Sequence, residues 1–171
     1  MPYVVKSSLL RLSILFSSLL PVVALIGCGP APEDQTEVTI AEAFAFESLG
    51  WGQRATLDTT EIAIRDTETW GTYQAALRPL MPFEEVDFMQ EMVLLAAVPV
   101  PSGGYSVRFE LVEKANDTLT VHYVLSEPAY DCLTTVGDAV VFQAVRLAQT
   151  DGAIRFERSY ESYRCTERKP F

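Results

Sequence analysis

The feature that most constrains the fold is an apolar run of eight residues, Met92 to Pro99. This length is short for a helix but typical of a strand that is buried in a sheet, so we expect a central strand here. The next two stretches, residues 105–111 and 119–125, alternate apolar and polar side chains and predict two half-buried strands. The predicted core contains six apolar residues of these three strands: Val93, Leu95, Val107, Phe109, Val121 and Tyr123.

The turns between these strands predict hairpins. Residues 101–104 and 116–117 separate the three strands, and Asp151 with Gly152 separates two further strands over 139–148 and 153–160. Because each turn is short, we expect consecutive strands to pair as an antiparallel meander or a small barrel-like sheet.

The segment before this sheet predicts a strand and a short helix. Residues 61–65 alternate like a strand, and Asp66 is a good N-cap for a helix over 67–77. Trp70, Tyr73 and Leu77 then share one helical face. Together these elements predict an α+β fold with about five to seven strands and one short helix.

The N-terminus predicts where the protein is located in the cell. Lys6 and Arg11 precede an uncharged segment that ends in Leu25, Ile26, Gly27 and Cys28, the pattern of a bacterial lipoprotein signal. We expect a signal peptide over 1–27, lipidation of Cys28, a flexible tether over 28–37 and one globular domain over 38–166. These features predict a protein that is anchored by lipid to the cell membrane or outer membrane and is either periplasmic or surface-exposed. An uncleaved anchor and an ordinary signal peptide are the alternatives; the first has too few apolar residues for a spanning helix.

The charge of the chain limits its partners. The sequence has 23 Asp and Glu against 13 Lys and Arg, a formal net charge of −10, and the signal would remove two of the cations. Such a surface repels phosphate backbones and anionic lipid headgroups, so nucleic acid is not an expected partner. Proteins, peptides, cations and neutral ligands remain, and the oligomeric state is left open.

Two cysteines remain beyond the lipidation site. Cys132 and Cys165 would lie in a compartment where disulfides persist, so we expect them to pair. Two buried free thiols are the alternative. A zinc site is disfavoured because His122 is the only histidine.

The sequence offers little for catalysis. His122 points to the face of its strand opposite Val121 and Tyr123, which favours an exposed residue over a general base. The acidic residues Glu84, Glu85, Asp87 and Glu91 could act as acid and base or bind a metal, but a solvated acidic turn is the simpler explanation. We therefore expect no catalytic residues, no metal and no cofactor.

A longer segment resembles a known family. The residues Val86 to Phe88, the Ser102-Gly103-Gly104-Tyr105 turn and the strand that ends at Glu127 and Pro128 are similar to the C-terminal domain of the PrcB family. The resemblance covers roughly residues 82–158. It implies a non-enzymatic lipoprotein that holds or stabilises a protein partner, such as a subunit of an envelope protease complex.

Two functional hypotheses follow. In the first, the chain binds an envelope protein, and Ser102, Gly103, Gly104 and Tyr105 form part of the contact; the same turn could be purely structural. In the second, the chain binds a small ligand or glycan on an aromatic platform of Trp51, Trp70 and Tyr73.

Overall fold

The computed structural model describes residues 41–79 and 81–166. The predicted signal peptide, Cys28 and the tether lie outside the described residues. In chain order the elements are β1 (Glu42–Ala43), β2 (Phe46–Gly52), β3 (Thr60–Ile64), α1 (Thr67–Ala76), β4 (Glu91–Ser102), β5 (Ser106–Ala115), β6 (Thr118–Pro128), β7 (Val136–Ala148) and β8 (Ala153–Tyr163). Within the described ranges, no helix combines the length and apolar character that crossing a membrane requires.

The eight strands form two sheets of four. The first sheet has the order β1-β5-β6-β8 and the second has the order β2-β7-β4-β3. Neighbouring strands are antiparallel, with the exception of β6 and β8, which run parallel. The predicted α+β fold with a dominant sheet component is confirmed, but the strands are more numerous than expected and form two separate sheets instead of one barrel-like sheet.

Strand β4 is buried on both faces, as its unbroken apolar run predicts. Met92, Leu94 and the alternate residues after them pack in the core between the two sheets. Val93, Leu95 and Ala97 face the other way and pack with Ile64 and α1. The second sheet is therefore the middle layer, with the first sheet on one side and the helix on the other. All six residues of the predicted core are buried.

Helix α1 begins where the sequence predicts. The Oδ1 atom of Asp66 accepts a hydrogen bond from the backbone N–H of Thr69 at 2.7 Å, which satisfies one of the free donors of the first turn. Trp70 and Leu77 are buried against the second sheet, and Tyr73 packs beside them while half-buried. The predicted helix and its inward face are confirmed.

Two of the predicted hairpins are wrong. β4 belongs to the second sheet and β5 to the first, so the turn at Gly103 and Gly104 carries the chain between sheets. The turn at Asp151 and Gly152 likewise carries it from β7 in the second sheet to β8 in the first. The hairpin between β5 and β6 at residues 116–117 is confirmed.

The turn before β8 shows why the predicted antiparallel meander is wrong. Alternation along a strand defines which side chains point inward, but it does not specify the neighbouring strand. Gly152 has a φ of 113°, and a Cβ atom there would collide with the carbonyl oxygen of Asp117. The backbone N–H of Ala153 donates to that same oxygen at 3.1 Å. This contact docks the turn on the β5–β6 hairpin and places β8 beside β6.

Candidate protein-interaction surface

The turn over Ser102–Tyr105 lies beneath another segment of the chain. The backbone N–H of Gly103 donates to the carbonyl of Thr135 at 3.0 Å, and the hydroxyl of Tyr163 donates to the carbonyl of Gly104 at 2.7 Å. A Cβ atom on Gly103 would collide with Oγ1 of Thr135, and Gly104 has a left-handed φ of 91°. The structure therefore explains why glycine is needed at both positions. Their role in binding a partner stays a prediction.

Tyr105 is the member of this turn that presents a large side chain. It is half-buried and packs at the border of the core between the sheets. Its carbonyl accepts a hydrogen bond from Nε2 of Gln53 at 3.2 Å, which links the start of β5 to the end of β2. Ser102 is also half-buried and Gly103 is buried, so Tyr105 offers most of the surface that a partner could contact.

The segment that covers the turn is residues 129–136, which we call the apex loop. The disulfide between Cys132 and Cys165, predicted from the sequence, is present and ties this loop to the end of β8. The backbone N–H of Ala129 donates to the carbonyl of Tyr163 at 2.9 Å, and Oδ2 of Asp131 accepts from the hydroxyl of Thr166 at 2.8 Å. The hydrogen bonds from Thr166 lower the pKa of Asp131 and favour its charged form. The loop is thus fixed at both ends.

The apex loop exposes three large apolar side chains. Tyr130, Leu133 and Val136 are each at least 96% exposed. Exposed apolar side chains on a segment with a restrained backbone are typical of protein-binding surfaces, because little backbone freedom is lost on association. The sequence reasoning missed these residues; the available signal was apolar residues beside Cys132 in a segment without strand or helix periodicity.

The three aromatic residues of the ligand hypothesis do not form one platform. Trp70 is 4% exposed and its ring centroid lies 5.0 Å from that of Phe83 in the core beneath α1. Tyr73 is half-buried in the same cluster. Trp51, near the end of β2, is 53% exposed and stands apart from them in the packing.

The one histidine of the sequence contacts acidic side chains. On the outer face of the first sheet, His122 lies between two carboxylates, with its Nε2 3.2 Å from Glu113 and its Nδ1 3.4 Å from Glu157. The ring therefore links β5, β6 and β8. His122 is on the face that the sequence predicts, but it is half-buried instead of freely exposed.

Two of the four acidic candidates, Glu84 and Glu91, lie beside Arg146 of β7, while the carboxylate of Asp87 accepts a hydrogen bond from the backbone N–H of Met89 at 3.0 Å. The guanidinium of Arg146 lies 2.6 Å from Glu47, 3.3 Å from Glu84 and 3.8 Å from Glu91. The hydrogen bond to Glu47 is the main reason that the pKa of Arg146 is raised. In residues 41–79 and 81–166, no group of three or more His, Cys, Asp or Glu has an arrangement that could hold a metal ion.

A polar cluster around the buried Tyr123 joins the two sheets at one edge. The hydroxyl of Tyr123 in β6 donates to Glu61 in β3 and accepts from Nε of Arg158 in β8 at 2.5 Å. Nη2 of Arg158 also lies 2.6 Å from Oε1 of Glu61. Burial and the carboxylate of Glu61 raise the pKa of Tyr123, so the hydroxyl keeps its proton. Burial alone would raise the pKa of Glu61, but the hydrogen bonds from Tyr123 and Arg158 outweigh it and lower the pKa.

No family model matches this chain, and no curated protein or solved structure matches it either. The resemblance of residues 82–158 to the PrcB family therefore stays a prediction from the sequence.

Proposed function

We propose that this chain is a lipid-anchored envelope protein that binds another protein and acts as a non-enzymatic accessory subunit, for example of an envelope protease complex. The observation that carries the proposal is the apex loop, in which Tyr130, Leu133 and Val136 are exposed on a segment held by a disulfide. A soluble domain gains nothing in its own stability from apolar side chains that pack on no other residue. Burial of these three side chains against a partner removes apolar surface from water and favours association.

The electrostatics support a protein partner. The chain has a net charge of −10, which opposes binding to anionic headgroups and nucleic acids. The apolar apex loop instead suits the apolar centre of a protein interface, where charged residues are depleted. Lipidation of Cys28 would confine the protein to a membrane surface, and the tether would let the apex loop reach a neighbouring protein.

The candidate residues for chemistry support a role without catalysis. His122, the one histidine, contacts Glu113 and Glu157 in a position that bridges three strands. Glu84 and Glu91 neutralise Arg146. These contacts give each group a structural role that needs no substrate.

The apex loop can be tested by capture of a partner. Full-length tagged protein is expressed in a bacterial envelope, cross-linked in intact cells and recovered with its partner. We expect Leu133→Ser together with Val136→Ser to lower the recovered partner about tenfold or more, because apolar anchors dominate interface energies. Met89→Ser is the matched control, since Met89 is also apolar and 88% exposed but lies outside the apex loop. Equal recovery by the double variant and the control would contradict the proposal.

A second variant separates the turn from the apex loop. If Tyr105 is an anchor, Tyr105→Ala should weaken binding by about 2 kcal/mol, or roughly thirtyfold. If Tyr105 only packs on the core, the same variant should unfold at a lower temperature and keep its affinity while folded. Measurement of both quantities assigns the residue to one role.

A further inference from the structure

Trp51 stands between two depressions at the side of the described domain. On one side, an apolar depression of about 290 Å³ is lined by Trp51, Tyr105, Val107 and Phe142. On the other side, a depression of about 540 Å³ is lined by Trp51, Arg54 and Arg78. Gln53 lines both depressions and donates its side-chain hydrogen bond to the carbonyl of Tyr105. We call these two adjoining depressions the Trp51 cleft.

The two arginines of the Trp51 cleft differ from the other cations of the described chain. Every other Arg and Lys in residues 41–79 and 81–166 has a side-chain ion pair or hydrogen bond, or another interaction. Arg54 and Arg78 have none with a described residue, although the chain is strongly acidic. Their backbones are joined by a hydrogen bond from the N–H of Arg78 to the carbonyl of Arg54 at 3.0 Å. Both arginines line the same depression, so one anion bound there could interact with both positive charges.

The local backbone brings these groups together. Gly52 is buried, and a Cβ atom there would lie 2.8 Å from Cε1 of Phe142 and 3.0 Å from the carbonyl oxygen of Arg78. A residue with a side chain at position 52 would push this segment away. The close packing that glycine permits is what holds Arg78 beside Trp51 at the floor of the cleft.

We propose that the Trp51 cleft binds the end of a partner polypeptide, with its carboxylate on Arg54 and Arg78. The apolar side chain next to that carboxylate would fill the depression lined by Val107 and Phe142. The indole N–H of Trp51 has no hydrogen-bond partner in the described chain, so Trp51 adds a donor to those of Arg54 and Arg78 for the oxygens of a carboxylate. The inference rests on the proposed function, because the polypeptide is the one that belongs to the bound protein.

A peptide fits the cleft better than other anions. Arg matches a carboxylate through two parallel hydrogen bonds, which gives both affinity and orientation. An acidic sugar has the carboxylate but lacks an apolar group for the 290 Å³ depression. A polyanion such as a nucleic acid would be repelled by the net charge of −10. A peptide C-terminus has both parts: its carboxylate suits the two arginines, and the apolar side chain beside it suits the apolar depression.

The inference can be tested with short peptides and the fluorescence of Trp51. The probe is acetyl-Gly-Ser-Gly-Ser-Leu with a free carboxylate, titrated into the full-length protein in detergent. The chain has two tryptophans, and Trp70 is buried, so a surface ligand should change the emission of Trp51 alone. We expect saturable binding below about 1 mM. The C-terminal amide of the same peptide and the Arg54→Gln/Arg78→Gln variant should each bind about tenfold more weakly.

Matched controls define the outcome. Trp51→Phe should remove the signal, and Arg155→Gln, which changes an exposed arginine of β8 paired with Glu157, should leave binding unchanged. A peptide amide with an internal Glu before its Leu shows whether a side-chain carboxylate replaces the terminal one. Equal binding of acid and amide would overturn the inference, as would no response of Trp51 or a preference for an oligogalacturonate. Because capture at the apex loop does not involve Arg54 or Arg78, absence of peptide binding by the wild-type protein together with normal capture would overturn this inference alone.

Discussion

Replacement of Tyr123 by Phe tests how the two sheets are held together. The side chain is fully buried, and its hydroxyl joins Glu61 in the second sheet to Arg158 in the first. Tyr123→Phe removes a single oxygen and keeps the ring, which packs against Phe109 at a centroid distance of 6.0 Å. The variant therefore isolates the polar cluster from the surrounding apolar core.

The structure gives the size of the expected effect. Hydrogen bonds to charged groups contribute about 1.5–3 kcal/mol each, and two are lost. Glu61 and Arg158 retain their mutual contact at 2.6 Å, and their side chains are 31% and 23% exposed, so water replaces part of what is lost. We therefore expect the free energy of unfolding to fall by about 2 kcal/mol. This corresponds to a decrease in Tm of roughly 6 °C for a domain of this size.

Urea denaturation of the full chain at pH 7, followed by circular dichroism, measures this loss. Tyr130→Phe is the control, because it removes the same oxygen from a side chain that is 96% exposed and should leave the midpoint unchanged. If both variants unfold at the wild-type midpoint with the wild-type slope, the cluster does not stabilise the contact between the sheets.

The same cluster makes a prediction about pH. The pKa of Glu61 in the folded protein is lowered from 4.5, so its charged form stabilises the fold at pH 7. This contribution is present above the unfolded pKa and is lost as the pH falls through the lower folded pKa. The difference in unfolding free energy between wild type and Glu61→Gln should therefore be largest near neutral pH and shrink below about pH 4.5. A difference that stays constant between pH 7 and pH 3 would contradict the role assigned to this carboxylate.

Three further predictions concern the anchor, the disulfide and the core. Cys28→Ser should leave the precursor uncut by lipoprotein signal peptidase; cleavage after Gly27 with membrane recovery unchanged would contradict the lipidation signal. Reduction of the Cys132–Cys165 bond, which spans a separation of 33 residues, should lower the stability by about 3–4 kcal/mol, measured by thermal unfolding with and without reductant. Phe109→Ala removes a ring that contacts Phe46 and Tyr123 and should cost about 3–5 kcal/mol; a variant of unchanged stability would show that this ring is not a core element.

Local patterns predicted the parts of the fold that local physics determines. The unbroken apolar run of β4 indicated burial on both faces, and Asp66 indicated the start of α1. The alternation in β5 and β6 identified Val107, Phe109 and Val121 as inward-facing. Each of these features depends on neighbours within a few residues, so the sequence displays it directly.

Strand pairing and the candidate surfaces depend on distant residues. The turn at Gly152 packs on the carbonyl of Asp117, and no local sequence pattern predicts this contact. In the same way, Arg54 and Arg78 lie on either side of β3 and α1 in sequence, and the disulfide joins Cys132, next to the exposed Leu133, to the distant Cys165. Turn residues predicted that the chain reverses at these points but not which sheet it enters.

The parallel pairing of β6 and β8 has a consequence for when the disulfide can form. Parallel neighbours end at the same edge of a sheet about 4.8 Å apart, and this brings Cys132 and Cys165 to a Cα–Cα distance of 5.1 Å. A meander would insert β7 between them and double that spacing. The bond can therefore form in its native setting only when the last strand has emerged and joined the first sheet. A chain truncated before β8 would therefore lack the native partner of Cys132.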